Sequence, residues 1–208
     1  MLIESFILGD LGTNTYLISN EKEECLLVDP ADSADFLLEL LVRRKLKLKG
    51  LIATHGHYDH ILAVGELQVS YDIPLYINPK DTFLLERMGE TAERFSSYKP
   101  VVLPIKNCAR LKEGKMSLGS FDFEAIFTPG HTPGSVCLYF KEKGWLISGD
   151  TLFKNGIGSY DHQYSSKGDL LESIHKKLFI LPEETIVYSG HGDETTIGEE
   201  MSDRTINF

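Results

Sequence analysis

One stretch limits what this chain can fold into and what it can do: Thr54-His55-Gly56-His57-Tyr58-Asp59-His60. It holds three imidazoles and one carboxylate. The apolar residues 50–53 before it predict a buried strand, and residues 61–71 after it predict a helix. Four potential metal ligands are therefore expected on a strand-to-helix turn. His and Asp at this density are typical of a site for zinc or iron. The alternative is a surface turn that happens to be rich in histidine.

The composition limits the class of protein and of partner. A chain of 208 residues with ordinary apolar content is predicted to form one domain, residues 1–208, with a sizeable core. The net charge of -10 argues against nucleic acid or an anionic membrane as a partner, because both need a basic surface. No signal peptide or long apolar run is visible, which predicts a cytoplasmic protein. Cys25, Cys108 and Cys137 are expected to be reduced, buried thiols.

The order of elements predicts a mixed α/β (α+β) protein. Apolar runs at residues 2–8, 14–19 and 24–28 predict an antiparallel meander. A helix is expected from an N-cap at Ser33 to about Lys45. Further helices are predicted at residues 61–71, 81–88 and 167–179, and further strands at residues 50–53, 74–77, 101–103, 116–118, 121–127, 136–140, 145–148 and 185–188. Residues 89–100 fit either a loop or a short helix. Strands and helices alternate in both halves, which predicts two sheets with helices outside, an αβ/βα sandwich.

Three more apolar runs lead into a residue that can bind a metal, and each of these residues directly follows a glycine. His131 follows residues 123–127, Asp150 follows residues 145–148, and His191 follows residues 186–188. In layered α/β proteins, ligands bind beyond the strand ends. Taken singly, each residue fits an ordinary turn. Together with the first stretch they predict one site that comprises His55, His57, Asp59, His60, His131, Asp150 and His191.

Such a set of charges is costly to bury without counter-ions. Two divalent cations that share one carboxylate suit seven protein ligands and leave a position for water. Of the remaining histidines, His175 is expected on the surface of a helix. His162 lies in a loop and is a weaker candidate for the same cleft.

Four segments of the chain, at residues 55–60, 128–135, 149–153 and 190–192, resemble the metallo-β-lactamase superfamily in the same order. They resemble most its glyoxalase II-like, or hydroxyacylglutathione hydrolase-like, branch. The resemblance implies a four-layer αβ/βα sandwich with a dinuclear site at one edge. It implies that the first metal is held by His55, His57 and His131, the second by Asp59, His60 and His191, and that Asp150 bridges both. Zinc is the favoured metal, and iron or manganese suit the same donors.

The chain also departs from that branch. It is expected to lack the C-terminal helical domain of classical glyoxalase II. Ser159 follows Gly158 where the family has a basic residue, and Gly192-Asp193-Glu194 stands where an aromatic residue is usual. The metal ligands are therefore complete, whereas a glutathione pocket is not evident. This combination resembles the short, single-domain hydrolases of the branch.

The expected activity is metal-dependent hydrolysis of a small acyl thioester such as S-lactoylglutathione, through a metal-bound hydroxide. Asp59 is a candidate to orient that nucleophile. One alternative is a mononuclear-iron oxidoreductase that resembles persulfide dioxygenases. Another is hydrolysis of other esters, lactones or β-lactams on the same scaffold. A nuclease is disfavoured by the acidic charge, and a non-catalytic scaffold by the complete ligand set. The sequence does not indicate an oligomeric state.

Overall fold

The computed structural model describes residues 1–202 and begins with an antiparallel meander, as predicted. Its strands are β1 (Leu2–Leu8), β2 (Thr13–Ser19) and β3 (Glu24–Val28). Three parallel strands extend the sheet: β4 (Lys47–Ile52), β5 (Leu75–Ile77) and β6 (Cys108–Arg110). The six strands lie in chain order across the sheet. Because β3 and β4 run parallel with Val28 opposite Ile52, both strands end side by side.

Four helices accompany this sheet: α1 (Ala34–Arg43), α2 (Tyr58–Ile61), α3 (Val64–Ser70) and α4 (Thr82–Phe95). The helix predicted over residues 61–71 is α3, and α2 is a separate short helix within the histidine-rich stretch. Ser33 occupies the N-cap of α1, but its side chain makes no capping hydrogen bond. Its backbone has φ of 52° rather than the extended conformation from which a side chain can cap. The Ser33 N–H donates instead to the Asp32 carboxylate.

Two predictions in the middle of the chain were wrong, the end of one helix and one strand. Helix α4 continues to Phe95 instead of ending at about Met88, so residues 89–95 of the segment that fitted either a loop or a short helix are helical. Residues 101–103 form no strand. They cross α3 closely enough that a Cβ at Gly65 would lie 2.2 Å from the Leu103 carbonyl oxygen. The Gln68 side chain then hydrogen-bonds both the Lys106 N–H and the Asn107 carbonyl, which supplies bonds that a neighbouring strand would otherwise make.

Six of the eight strands in the second half form another sheet, and the other two form a separate hairpin. In chain order they are β7 (Gly114–Leu118), β8 (Phe121–Phe127), β9 (Val136–Phe140), β10 (Trp145–Gly149), the small hairpin β11 (Leu152–Phe153) and β12 (Gly156–Ile157), β13 (Ile186–Ser189) and β14 (Thr195–Thr196). The sheet order is β14-β13-β10-β9-β8-β7, with the hairpin separate. Helix α5 (Lys167–Ser173) runs into a π-helical turn at Ile174–Leu178, so the helix predicted over residues 167–179 is confirmed in position. Helix α6 (Ile197–Ser202) ends the described chain.

The contacts divide the chain into two units. The first comprises Met1–Leu111 with Leu118–Phe121, and the second comprises Lys112–Ser117 and the chain from Asp122 onward. Each unit has its own apolar core, which contains Leu27, Leu51 and Leu67 in the first and Leu146, Leu170 and Val187 in the second. The assignment of residues 1–208 to one domain stays a prediction. Among residues 1–202, no helix is both long and apolar enough to cross a membrane.

The cysteines only partly match the expectation of buried thiols. Cys25 and Cys137 are buried inside their sheets, whereas Cys108 is exposed. Cys108 lies on the short strand β6 at the edge of the first sheet, and two of the three residues of this strand are exposed. An edge strand is covered on fewer sides than a central one, which explains the exposed thiol.

Candidate metal centre

Strand β4 delivers the first half of the predicted site. His55 follows the strand end directly and is buried, whereas His57 is half-buried. His55 Nε2 lies 3.1 Å from His57 Nδ1. Two imidazole nitrogens bound to one tetrahedral cation at its usual bond lengths lie roughly 3.3 Å apart. The two rings are thus already arranged as a pair of ligands to one ion.

Gly56 allows the turn between these two histidines. Its N–H donates to Asp81 Oδ2 at 2.9 Å, and a Cβ at this position would lie 2.8 Å from the Asp81 carbonyl oxygen. A side chain would therefore push the turn away from the start of α4. The small residue fixes where His55 and His57 point.

Asp59 and His60 form a second pair within the same unit. Asp59 Oδ2 lies 3.5 Å from His60 Nε2, and Thr13 donates its hydroxyl to the same carboxylate oxygen at 3.0 Å. His60 is buried in helix α2, and Asp59 precedes it on that helix. A carboxylate oxygen and an imidazole nitrogen at this separation suit a second cation.

Asp29, a buried carboxylate that lies behind the histidines, was not identified from the sequence. Asp29 Oδ2 accepts a hydrogen bond from His60 Nδ1 at 3.0 Å and one from the Thr54 hydroxyl at 2.7 Å. The Thr54 hydroxyl also lies 3.1 Å from His55 Nδ1. The parallel pairing of β3 with β4 brings Asp29 to this place. Apolar runs alone do not specify which strands pair, so this contact was not predictable from them.

The second unit holds the other three predicted ligands, and it brings them together around one oxygen atom. Asp150 Oδ2 lies 3.4 Å from His131 Nε2 and 3.7 Å from His191 Nε2. These three residues follow β8, β10 and β13, as the sequence predicted. A carboxylate oxygen placed between two imidazoles suits a ligand shared by two cations.

The loop after β12 fixes the orientation of His131. His131 Nδ1 donates to the Ser159 carbonyl at 2.8 Å, which directs the other ring nitrogen towards Asp150. The preceding Gly130 has φ of 143°, and a Cβ there would meet the backbone of Leu170 at 2.3 Å. Glycine before this ligand is thus required by both the dihedral angle and the close approach of helix α5.

The two remaining histidines differ in their surroundings. The exposed ring of His162 packs edge-on against His131, with 5.7 Å between ring centroids. His162 therefore lies beside a predicted ligand, as the sequence allowed. His175 is half-buried rather than on the surface and contacts the ring of Phe179 at 5.3 Å.

A narrow cleft adjoins Asp59 within the first unit. Its lining includes Asp10, Tyr58, Asp59 and Tyr98. Tyr98 donates to the Asp32 carboxylate, while burial, that hydrogen bond and the charge of Asp32 raise the pKa of its phenol. Burial and the charge of Asp59 likewise raise the pKa of Tyr58. Both phenols therefore remain neutral at physiological pH beside these acidic groups.

The sequence profile of the metallo-beta-lactamase superfamily matches residues 8–191. The chain belongs to the metallo-β-lactamase superfamily. As predicted, it also has the metallo-β-lactamase fold, with mixed α and β content. As a member, it is a metal-dependent hydrolase. The imidazole and carboxylate pairs described above are the donors that such an enzyme requires.

Two curated relatives of this superfamily member are hydrolases by description. One is the hydroxyacylglutathione hydrolase GloC of Haemophilus influenzae, which is 36% identical over 96% of this chain and 95% of its own. The other is a probable metallo-hydrolase, YqgX, of Bacillus subtilis, which is 34% identical over 93% of this chain and 91% of its own. The predicted resemblance to the hydroxyacylglutathione hydrolase-like branch is confirmed.

Solved structures give the same superfamily. The B3 metallo-beta-lactamase BLEG-1 superposes with a TM-score of 0.90, 35% identity and full coverage of both chains. TTHA1623 in a di-iron-bound form superposes with a TM-score of 0.84 and 35% identity over 96% of this chain and 98% of its own. ETHE1 from Myxococcus xanthus reaches 0.78 and 28% identity over 98% of this chain and 83% of its own. Proteins with this fold thus carry different descriptions, a B3 metallo-beta-lactamase in one case and a di-iron-bound form in another.

Proposed function

We propose that the chain hydrolyses small acyl thioesters, such as S-lactoylglutathione, on a dinuclear metal centre. The observation that carries the proposal is the position of Asp150 Oδ2 between His131 Nε2 and His191 Nε2, at 3.4 and 3.7 Å. A carboxylate in that position suits a ligand shared by two cations. An oxidoreductase with a single metal ion would need neither a carboxylate shared by two cations nor the ligands of a second cation.

In this proposal the ligands divide between two cations, for which zinc is the proposed identity. His55, His57 and His131 would hold the first, and the spacing of the first two rings supports that assignment. Asp59, His60 and His191 would hold the second, and Asp150 would be shared by both. His60 and His131 each use Nδ1 for a hydrogen bond, to Asp29 and to the Ser159 carbonyl, which keeps Nε2 for the metal, whereas His57 presents Nδ1 beside His55 Nε2.

When bound, two divalent cations supply a water molecule of lowered pKa and an electrophile for the substrate carbonyl. The chain's part is to orient these groups. Asp59, held by the Thr13 hydroxyl at 3.0 Å, would orient that water. Cys25 and Cys137 are buried, and burial raises their thiol pKa values, so neither serves as a covalent nucleophile.

The thioester class is supported by the GloC relative, which covers nearly the whole chain. The thiol half of the substrate is less constrained. Ser159 carries no charge at a position where the resemblance implies a basic residue, and its carbonyl is already used by His131. We therefore propose that the chain tolerates thioesters with small or neutral thiols as well as the glutathione thioester.

Hydrolysis of β-lactams is a second candidate, because BLEG-1 is 35% identical over the full length of both chains. The same centre would act on the amide carbonyl of the strained ring. Persulfide oxidation on a single iron is the third activity to be tested, since the donors suit iron as well as zinc.

The experiment measures metal content and three activities on one preparation of purified protein. We expect two equivalents of metal per chain, and hydrolysis of S-lactoylglutathione that is lost on chelation and restored by zinc. A neutral acyl thioester, a chromogenic β-lactam and a persulfide with oxygen-uptake detection serve as the other substrates. One equivalent of iron with oxygen uptake and no thioester turnover would contradict the proposal. Turnover of the β-lactam alone would move the assignment to the second candidate.

A further inference from the structure

Tyr98 stands between two cavities of the first unit. The first is the narrow cleft beside Asp59, whose free volume of about 10 Å³ corresponds to roughly one water molecule. The second is a wider cavity of about 320 Å³, whose lining reaches Val101. Asp32, Leu62 and Tyr98 line both cavities. These three residues therefore form a partition between the cleft and the wider cavity.

Hydrogen bonds to two carboxylates fasten Tyr98 and its neighbour. The Tyr98 hydroxyl donates to Asp32 Oδ2, while Asp32 Oδ1 accepts the Ser33 N–H. Ser97 donates both its N–H and its hydroxyl to Asp10 Oδ2, each at 2.7 Å. These bonds from Ser97 and Tyr98 are exposed, and water can take the place of either partner at a small net cost. The partition is thus closed, but the fastening that keeps it closed is weak.

The charge of the two linings indicates which half of a thioester they can receive. Carboxylates predominate, and Lys99 is the one cation among the described residues that line the cavities. The acidic lining residues are Asp10, Asp32, Asp35, Asp59 and Glu66. Such a lining repels an anionic group, and glutathione is anionic. The uncharged acyl group is therefore the half that these cavities suit.

The cleft also presents a polar atom without a firm partner. Tyr58 lines the cleft and is 8% exposed. Its hydroxyl is buried with no well-aligned hydrogen bond to any residue of 1–202, although the Ser96 side chain is near enough to act on its pKa. A buried hydroxyl in this state costs free energy. An occupant with a polar group, such as the hydroxyl of a 2-hydroxyacyl group, would remove that cost.

We propose that the cleft beside Asp59 receives the acyl group of the substrate and that Tyr98 limits the length of that group. With Tyr98 held on Asp32, the cleft admits only a small acyl group. When the Tyr98 side chain moves away, the cleft and the wider cavity join, and a longer chain lies along Leu62 and Val101. Tyr98 is thus a specificity-determining residue. The inference rests on the proposed function, because it assigns a place to one half of the thioester.

Two substitutions of Tyr98 separate the ring from its fastening. Tyr98→Ala removes the ring from the partition. Tyr98→Phe keeps the ring and removes only the hydrogen bond to Asp32. Phe95→Ala is the matched control, because Phe95 is an exposed aromatic residue three positions earlier, and its ring contacts the Arg94 guanidinium. Circular dichroism and zinc content establish that each variant is folded and loaded like the wild type.

The readout is the calorimetric affinity of the zinc-loaded protein for acetate, butyrate, hexanoate and octanoate, which are acid products of thioester hydrolysis. In wild type the affinity should level off after butyrate. In Tyr98→Ala it should continue to rise by roughly fourfold per added methylene, the gain from burying one CH₂ group. Tyr98→Phe should show part of this gain, and Phe95→Ala should match wild type. Adipate, with a carboxylate at each end, should bind Tyr98→Ala at least ~10-fold more weakly than hexanoate.

Neutral thioesters of the same acids give a parallel kinetic series. The ratio of kcat/KM for the octanoyl ester to that for the acetyl ester should rise at least ~10-fold in Tyr98→Ala. The same length limit in Tyr98→Ala and in wild type would overturn the proposal, as would wild-type affinity that rises steadily to octanoate. If Tyr98→Ala does not fold, Tyr98→Phe decides, and wild-type behaviour of that variant overturns the role of the Asp32 hydrogen bond. The proposed function fails separately, through wild-type protein that binds these acids without turning over a thioester.

Discussion

Gly158 packs directly against the main chain of Asp150. A Cβ at Gly158 would lie 1.8 Å from the Asp150 carbonyl oxygen and 3.4 Å from the Cβ of His131. The first distance is far below any tolerable contact, and the atom it would strike belongs to backbone that cannot rotate away. The loop that supplies the Ser159 carbonyl to His131 can therefore reach its place only because residue 158 has no side chain.

Gly158→Ala should displace this loop and loosen both His131 and Asp150. We expect a loss of about 1–3 kcal/mol in the free energy of unfolding of the metal-free protein, in the range of other overpacked sites. Zinc affinity should fall with it. Gly156→Ala is the control, because Gly156 lies on the adjacent strand β12 and a Cβ added there would meet no atom within 4 Å. Urea unfolding and zinc titration of the two variants check the prediction, which fails if they behave alike.

Thr13→Val should weaken the second metal. The Thr13 hydroxyl donates to Asp59 Oδ2 at 3.0 Å, and Thr13 is buried, so water cannot replace the lost donor easily. Asp59 would then gain freedom to rotate, and we expect roughly tenfold weaker binding at one zinc step. Turnover should fall in parallel at limiting zinc.

Thr13→Ser keeps the hydroxyl and is the matched control for that experiment. Isothermal titration of the metal-free proteins measures both steps in each variant. Identical isotherms for the valine and serine variants would show that the contact does not support Asp59.

The positions of three predicted ligands at strand ends could be predicted from sequence because each one follows an apolar run. His131, Asp150 and His191 come after β8, β10 and β13, and a glycine precedes each of them. Their supports follow a different logic. Asp29 reaches His60 because β3 and β4 pair in parallel, and Ser159 reaches His131 through a carbonyl that any residue type offers. Residue types do not reveal which strands pair or which backbone atoms are contacted, so these supports of the predicted ligands were found only in the structure.

The same limit explains the errors in the fold. Residues 101–103 are apolar enough to predict a strand. They lie against helix α3 instead, because Gly65 has no side chain to block the Leu103 backbone and the Gln68 side chain hydrogen-bonds the backbone of residues 106 and 107. Helix α4 was predicted too short because its second half is polar. Only Met88 and Ala92 of that helix are buried, so few apolar positions signal its length.

Alkaline pH should destabilise the metal-free protein through its buried thiols. Burial raises the pKa of Cys25 to about 12 and that of Cys137 to about 11, from 9.0 in the unfolded chain. Between pH 9.0 and the folded pKa of each thiol, the unfolded state loses protons that the native state keeps. Stability is therefore complete below about pH 9 and falls as pH rises towards the folded pKa values. Linkage gives a slope of about 1.4 kcal/mol per pH unit for each thiol.

Urea unfolding of metal-free protein at pH 8, 9 and 10 measures that slope. Cys137→Ala should lower stability at every pH because it leaves a small cavity. Its pH dependence above pH 9 should nevertheless be shallower than that of wild type by up to the share of one thiol. Cys108→Ala is the comparison. Burial also raises the pKa of the Cys108 thiol, but less than for the two enclosed thiols because Cys108 is exposed at the edge strand β6, so its share of the slope should be smaller. A slope unchanged by Cys137→Ala would contradict the assignment.

Two single substitutions, each removing one predicted ligand from a different unit, should each weaken metal binding and lower turnover together. His57→Ala deletes one of two ring nitrogens that lie 3.1 Å apart, and Asp150→Ala deletes the oxygen that both His131 and His191 face. We expect thioester kcat/KM to fall by at least ~100-fold in each variant, with less than one equivalent of tightly bound zinc in Asp150→Ala. His175→Ala is the control, because that ring packs on Phe179 within the π-helical turn. Full turnover in either ligand variant after exhaustive chelation would refute a metal-dependent reaction. Loss in His57→Ala alone would instead restrict the chemistry to a centre without the bridging carboxylate.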